Sequence, residues 1–171
     1  MNTMTMKSAT LAVATSAVVT LMIQACGGSS DATAQSAAPT PSDLDPIEGY
    51  WESDVTIRDC TSGAALRTFK GANVFGRGGS IVGTNSNPPA TQGPALGIWK
   101  RTALSPNYTA TFRFFRYNLD GTLAGSQRGT RTLTLSVDGN SVTGSISAQV
   151  LDTAGTVLQT ICGTEVTARV Q

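Results

Sequence analysis

From residue 48 onward, apolar side chains recur at every second position. Thr130-Arg131-Thr132-Leu133-Thr134-Leu135-Ser136-Val137 sets Leu133, Leu135 and Val137 on one face and Thr or Ser on the other. Val142, Gly144, Ile146, Ala148 and Val150 repeat the pattern against Ser141, Thr143, Ser145, Ser147 and Gln149. A period of two predicts half-buried strands. The run Asp138-Gly139-Asn140 between them is a hairpin signal, because glycine tolerates the positive φ of tight primed turns. Asn118-Leu119-Asp120-Gly121 and Asp152-Thr153-Ala154-Gly155 mark further turns. Counting through them predicts eight strands, at about 50–60, 65–75, 79–85, 95–102, 107–117, 122–137, 141–151 and 156–170. Asn85 to Pro94 holds Asn87-Pro88-Pro89 and Gly93-Pro94; proline removes ladder donors, so a loop at a barrel mouth is expected there. Eight sequential antiparallel strands with short loops suit a single all-β, up-and-down barrel, which removes exposed sheet edges by closing on itself.

The first residues follow a different pattern. Lys7 precedes an apolar run from Ala9 to Ile23, interrupted by Thr and Ser. At roughly 15 residues it is shorter than the roughly 20 a spanning helix needs and matches a signal-peptide core. It ends in Ile23-Gln24-Ala25-Cys26, which resembles the lipobox of bacterial lipoproteins. The resemblance implies export, cleavage after a leader at 1–25, and a membrane anchor on a diacylated Cys26. Gly27 follows, where an Asp tends to retain such lipoproteins at the inner membrane, so the outer membrane of the cell envelope is implied. Residues 26–46 are Gly, Ser, Ala, Thr and Pro with a few Asp and no aromatic; they cannot bury enough apolar surface to order themselves and read as a flexible tether. Residues 47–171 are then one domain.

Removing the leader with Lys7 leaves 11 of the 12 Lys and Arg against 11 Asp and Glu. Near-zero charge without a basic run argues against a nucleic-acid partner. The chain has no histidine, which takes away the commonest metal ligand and general base; no metal and no cofactor is implied. Cys60 and Cys162 sit in an exported domain, where an oxidising compartment favours a disulfide over two buried thiols. Closing about 100 residues would stabilise the fold by about 4.7 kcal/mol in a chain-entropy treatment.

In a closed barrel this bridge staples the first strand to the eighth. The register resists it: Val55 and Ile57 place Cys60 on the opposite face with Asp54 and Arg58, whereas Cys162 shares a face with the apolar Val166, Ala168 and Val170. Directly paired residues share a face. A bulge, or Cys60 leaving the strand in the Asp59-Cys60-Thr61-Ser62-Gly63 turn, would reconcile them.

Gly49-Tyr50-Trp51 opens the first strand and Arg169 lies near the end of the last. This resembles the lipocalin and wider calycin group, in which a Gly-x-Trp begins strand one, its Trp plugs the closed end and an Arg packs across the indole. The resemblance implies Trp51 and Arg169 as a barrel-closing pair, and cation–π contact supports it physically. The allene oxide cyclase and dirigent type of eight-stranded barrel fits the strand count nearly as well.

The densest aromatic stretch is Tyr108 to Tyr117. Tyr108, Phe112 and Phe114 share a face with Arg116 and are the candidate ligand-binding residues, with Arg116 meeting an anionic head near the rim. Plain core filling is the alternative, since small barrels are either filled or hold one small ligand. Trp99 faces away from Leu96 and Ile98, as an exterior cover or an inward anchor. Gly76-Arg77-Gly78-Gly79 lacks the Lys-Ser/Thr of a phosphate loop and reads as a hairpin turn. Of the acids, Asp120, Asp138 and Asp152 are turn residues, and most of the rest, Glu165 among them, alternate outward. Without His the usual triad cannot form, so no catalytic residue is assigned. The expected function is a membrane-anchored, non-enzymatic barrel that binds a small apolar or amphipathic ligand. A solid envelope interaction module and a cyclase-like barrel enzyme are the alternatives.

Overall fold

The computed structural model describes residues 44–103 and 105–171; the leader, Cys26 and most of the tether lie outside them. Eight strands form: β1 (Gly49–Arg58), β2 (Ala65–Gly76), β3 (Ser80–Asn85), β4 (Ala95–Arg101), β5 (Asn107–Tyr117), β6 (Leu123–Leu135), β7 (Ser141–Leu151) and β8 (Val157–Arg169). Each pairs antiparallel with the next, and β8 returns to β1, closing an up-and-down barrel. The expected strands are all present to within two residues. The largest differences are at β1, which ends at Arg58, and at β6, which ends at Leu135 and leaves Val137 fully exposed in the turn. That turn closes on Gly139 at φ 72°, and Asp138 Oδ1 accepts the Asn140 N–H at 3.1 Å. Gly76 to Gly79 is the β2–β3 turn, as expected.

Ile47, Trp51, Phe75, Trp99, Tyr108, Leu133, Leu135 and Val142 pack into a core at one end of the barrel. Trp99 points inward and donates its indole N–H to the Gly76 carbonyl at 3.0 Å, while Leu96 and Ile98 lie outside. Trp51 is fully buried and donates to the Ile47 carbonyl at 2.8 Å. The Arg169 guanidinium lies 4.1 Å above its ring centroid. The same guanidinium donates to the carbonyls of Gly139 at 2.9 Å, Glu48 at 2.8 Å, and Pro46. A cation over an indole is favourable by roughly 0.5–2 kcal/mol, and Arg169 adds the tying of three chain segments. Gly49 is needed here: its φ is 130°, and a Cβ would lie 2.9 Å from Arg169 Nη1. Asp45 and Pro46, expected in the tether, are already pinned, Asp45 accepting the Tyr108 hydroxyl at 2.7 Å. The residues packed on the barrel thus include some before residue 47.

Cys60 and Cys162 form a disulfide with 5.2 Å between Cα atoms. Cys60 has left β1 and lies in the turn, where Asp59 Oδ1 accepts from the N–H groups of Thr61 and Ser62. The expected conflict of faces rested on an inverted reading of β8. Gly163, Glu165 and Thr167 are its buried positions, while Val166 and Ala168 are exposed. Cys162 therefore faces outward, as Cys60 does. The apolar residues of β8 mark the wet face because its dry face holds polar groups that bond to one another inside the barrel.

Two stability measurements test this account. Cys60→Ala/Cys162→Ala leaves the barrel folded but lowers its unfolding free energy by about 4.7 kcal/mol or less, read from the urea midpoint. Trp51→Ala costs about 3–5 kcal/mol, the range for emptying a buried aromatic site, and thermal melting of residues 44–171 reads it.

Candidate functional site

Above the closed-end core the barrel is hollow, with a cavity of about 410 Å³ opening at the opposite end. Several inward positions carry no side chain. Gly71, Gly83, Gly97, Gly129, Gly144 and Gly163 occupy inward positions on β2, β3, β4, β6, β7 and β8. Phe112 has Gly97 beside it on β4 and Gly129 beside it on β6. A Cβ on Gly129 would lie 2.7 Å from the Phe112 ring. Bare backbone on both sides gives the ring room to lie along the wall.

The cavity has three levels. The walls combine the apolar Phe69, Phe112, Phe114, Ile57, Val150 and Ile161 with Gln127 and Gln159; the Phe112 and Phe114 rings stack with centroids 6.4 Å apart. The mouth carries Arg67 and Arg116. The β3–β4 loop, with a 3-10 turn at Pro89–Thr91, crosses it and meets both strands. Arg67 donates to Asn87 Oδ1 at 3.1 Å, Gln92 bridges to Arg116 and the Gly93 N–H donates to the Phe115 carbonyl at 2.9 Å. The proline-rich loop thus lies at the mouth, as expected. Tyr117, past a register shift where β6 carries an extra residue, also borders it.

The floor is polar. Arg131 donates from Nε to Glu165 Oε1 at 2.7 Å, from Nη2 to Glu165 Oε2, and from Nη1 to Asn73 Oδ1 at 2.9 Å. Asn73 Nδ2 donates to Ser53 Oγ at 3.2 Å, and Thr167 Oγ1 donates to the same atom at 2.9 Å. All five residues are nine-tenths buried or more. A buried carboxylate is tolerable only when paired and hydrogen-bonded, and the forked guanidinium supplies both. Of the five N–H groups of Arg131, three are used in these contacts. Arg131 and Asn73 line the cavity, whereas Glu165 sits behind them.

Of the candidate ligand residues, Phe112, Phe114 and Arg116 line the cavity. Tyr108 does not. It shares their inward face but is the second residue of β5, at the closed end. There it is fully buried, 5.9 Å from the Trp99 ring centroid. Burial, and then the hydrogen bond from its hydroxyl to Asp45, push the Tyr108 pKa far above the usual phenol range. Glu165 faces inward rather than outward, and Arg131 and Asn73 were not singled out from the sequence. Their signal was present, since Arg131 shares the face of Leu133 and Leu135, and Glu165 the face of Ile161. Arg67 at the mouth was likewise missed, because β2 is exposed along its first half and shows little alternation. The chain matches no protein-family model, no curated protein and no solved structure.

Unpairing the floor should be far costlier than replacing it. Glu165→Gln leaves Arg131 as a buried uncompensated charge and destabilises by about 3–5 kcal/mol, whereas Arg131→Met/Glu165→Leu is near neutral. Urea denaturation of the three proteins checks the contrast.

Proposed function

We propose that this is an exported, lipid-anchored, non-enzymatic protein whose barrel binds a small apolar or amphipathic molecule. The observation that carries the reading is the cavity itself: about 410 Å³ with Phe69, Phe112 and Phe114 on its walls. That volume lies in the range of about 300–1,000 Å³ typical of small-molecule sites, which are largely apolar with a few placed polar groups. The Gly-x-Trp of Gly49 to Trp51 and the Arg169–Trp51 contact support a lipocalin-like carrier. The absence of histidine from the chain and, among the described residues, of any carboxylate from the cavity lining supports binding over proton-transfer chemistry. The lipobox-like ending at Cys26 supports anchoring, and Gly27 after it supports the outer membrane of the cell envelope. The described chain enters at the closed end, through Asp45 and Pro46.

A second reading, an interaction module of the envelope, draws on one observation. Tyr50, Val74, Val82 and Leu96 are exposed and directly paired in a row across β1 to β4.

Protein purified from its own host and examined by native mass spectrometry should carry a reproducible small molecule and acyl mass on Cys26. Emptied protein should bind N-phenyl-1-naphthylamine with a rise in fluorescence. Gln127→Trp, which places an indole in the cavity, should weaken that binding about tenfold or more. A protein that neither carries a ligand nor binds the probe would shift the reading to the interaction module.

A further inference from the structure

The cavity lining contains Arg67, Arg116 and Arg131 and, among the described residues, neither Asp nor Glu. The three cations are not equivalent. Arg131 is paired through two nitrogens with Glu165, so the floor is close to neutral. Arg67 and Arg116 take part in no ion pair among the described residues, where Lys70, Arg101 and Arg131 account for those present. The loop carboxylates at the mouth end hydrogen-bond within their own loops, which does not neutralise them, but none lines the cavity. Asp59 accepts from Thr61 and Ser62, Asp120 from Thr122, and Asp152 from Ala154 and Thr156. Within the lining, the cations that have no ion pair therefore sit at one level only, at the mouth.

We propose that the ligand is an amphipathic anion, held with its charged head at the mouth by Arg67 and Arg116 and its apolar body directed down toward Asn73 and Arg131. This rests on the reading of the cavity as a small-molecule site and adds a charge and a direction to it. An anion at the floor would meet a guanidinium already neutralised by Glu165 and would lie near that carboxylate. It would lose its water without gaining an unpaired cation. At the mouth the head keeps part of its hydration and gains two guanidinium partners, whose forks suit carboxylate or phosphate oxygens. The floor still offers N–H donors to a neutral acceptor at the far end, so a hydroxyl or carbonyl there is tolerated. A cationic head is disfavoured at every level.

The test is competition against N-phenyl-1-naphthylamine, in the full chain and in residues 44–171, by dodecanoate, dodecyl phosphate, dodecan-1-ol and dodecyltrimethylammonium below their micelle concentrations. One or both anions should compete about tenfold or more better than the alcohol at neutral pH, as charge-assisted hydrogen bonds imply, and the ammonium worse. Added salt should erode the anions' advantage and leave the alcohol unchanged. Arg67→Gln/Arg116→Gln should bring the anions to the level of the alcohol while the neutral probe binds as before, which shows the cavity intact. Equal competition by anion and alcohol in the unaltered protein would overturn the proposal and leave the cavity reading standing. An anion preference that survives the double substitution would overturn the placement at the mouth. Failure of the neutral probe itself to bind would remove the cavity reading beneath both.

Discussion

Hydrogen bonding between β1 and β8 joins segments more than a hundred residues apart, and every other feature of the molecule assumes that join. Without it the sheet has two open edges and an interior continuous with solvent. The seam is fastened at both ends by different means. At the closed end Trp51 is paired directly with Arg169, so the guanidinium that covers the indole belongs to the neighbouring strand. Toward the mouth, Cys162 stands opposite Arg58 and is bonded to Cys60 just beyond it. The first fastening is packing and hydrogen bonding in a dry core; the second is covalent and lies on the outer face. Their chemistry suits their places, since a disulfide needs no burial and a cation–indole contact is stronger away from water.

Closure lets the interior be divided into levels with different work. The aromatic core at the bottom supplies the hydrophobic stabilisation of the barrel. Above it, the layer of Arg131, Glu165, Asn73, Ser53 and Thr167 satisfies its own polar groups, and no buried side-chain nitrogen or oxygen is left without a partner among the described residues. Such a layer contributes little net stability compared with apolar filling, but it ends the core at a defined height. Above it lies the cavity, with Gly71 and Gly83 in its lining.

Much of this was legible in the chain. Most of the strands follow from alternation, the turns from Asp and Gly clusters, and the closing pair from Gly49, Trp51 and Arg169. The inverted face of β8 and the misplaced Glu165 share one cause. Alternation separates the two faces of a strand, but assigning a face to the inside assumes that the inside is apolar. In β8 that assumption fails, because Glu165 and Thr167 are buried and Val166 is exposed at 62 %. A buried acid is legible only once its partner is known, and Arg131 comes from a strand two positions away in the sheet. Tyr108 shows a second limit. Period two shows which face a residue takes; its height depends on where the strand begins relative to the closed end.

Local chemistry by itself determined that these residues form eight strands in antiparallel succession, because side-chain periodicity and turn glycines act within a few residues of one another. Tertiary structure alone decided which face of β8 is dry, where the core stops and the cavity starts, and that Arg67 and Arg116 border the same opening. Those are relations between side chains far apart in the chain. They are set by barrel closure and by the requirement that a charge removed from water meet its opposite, and no local pattern encodes either one.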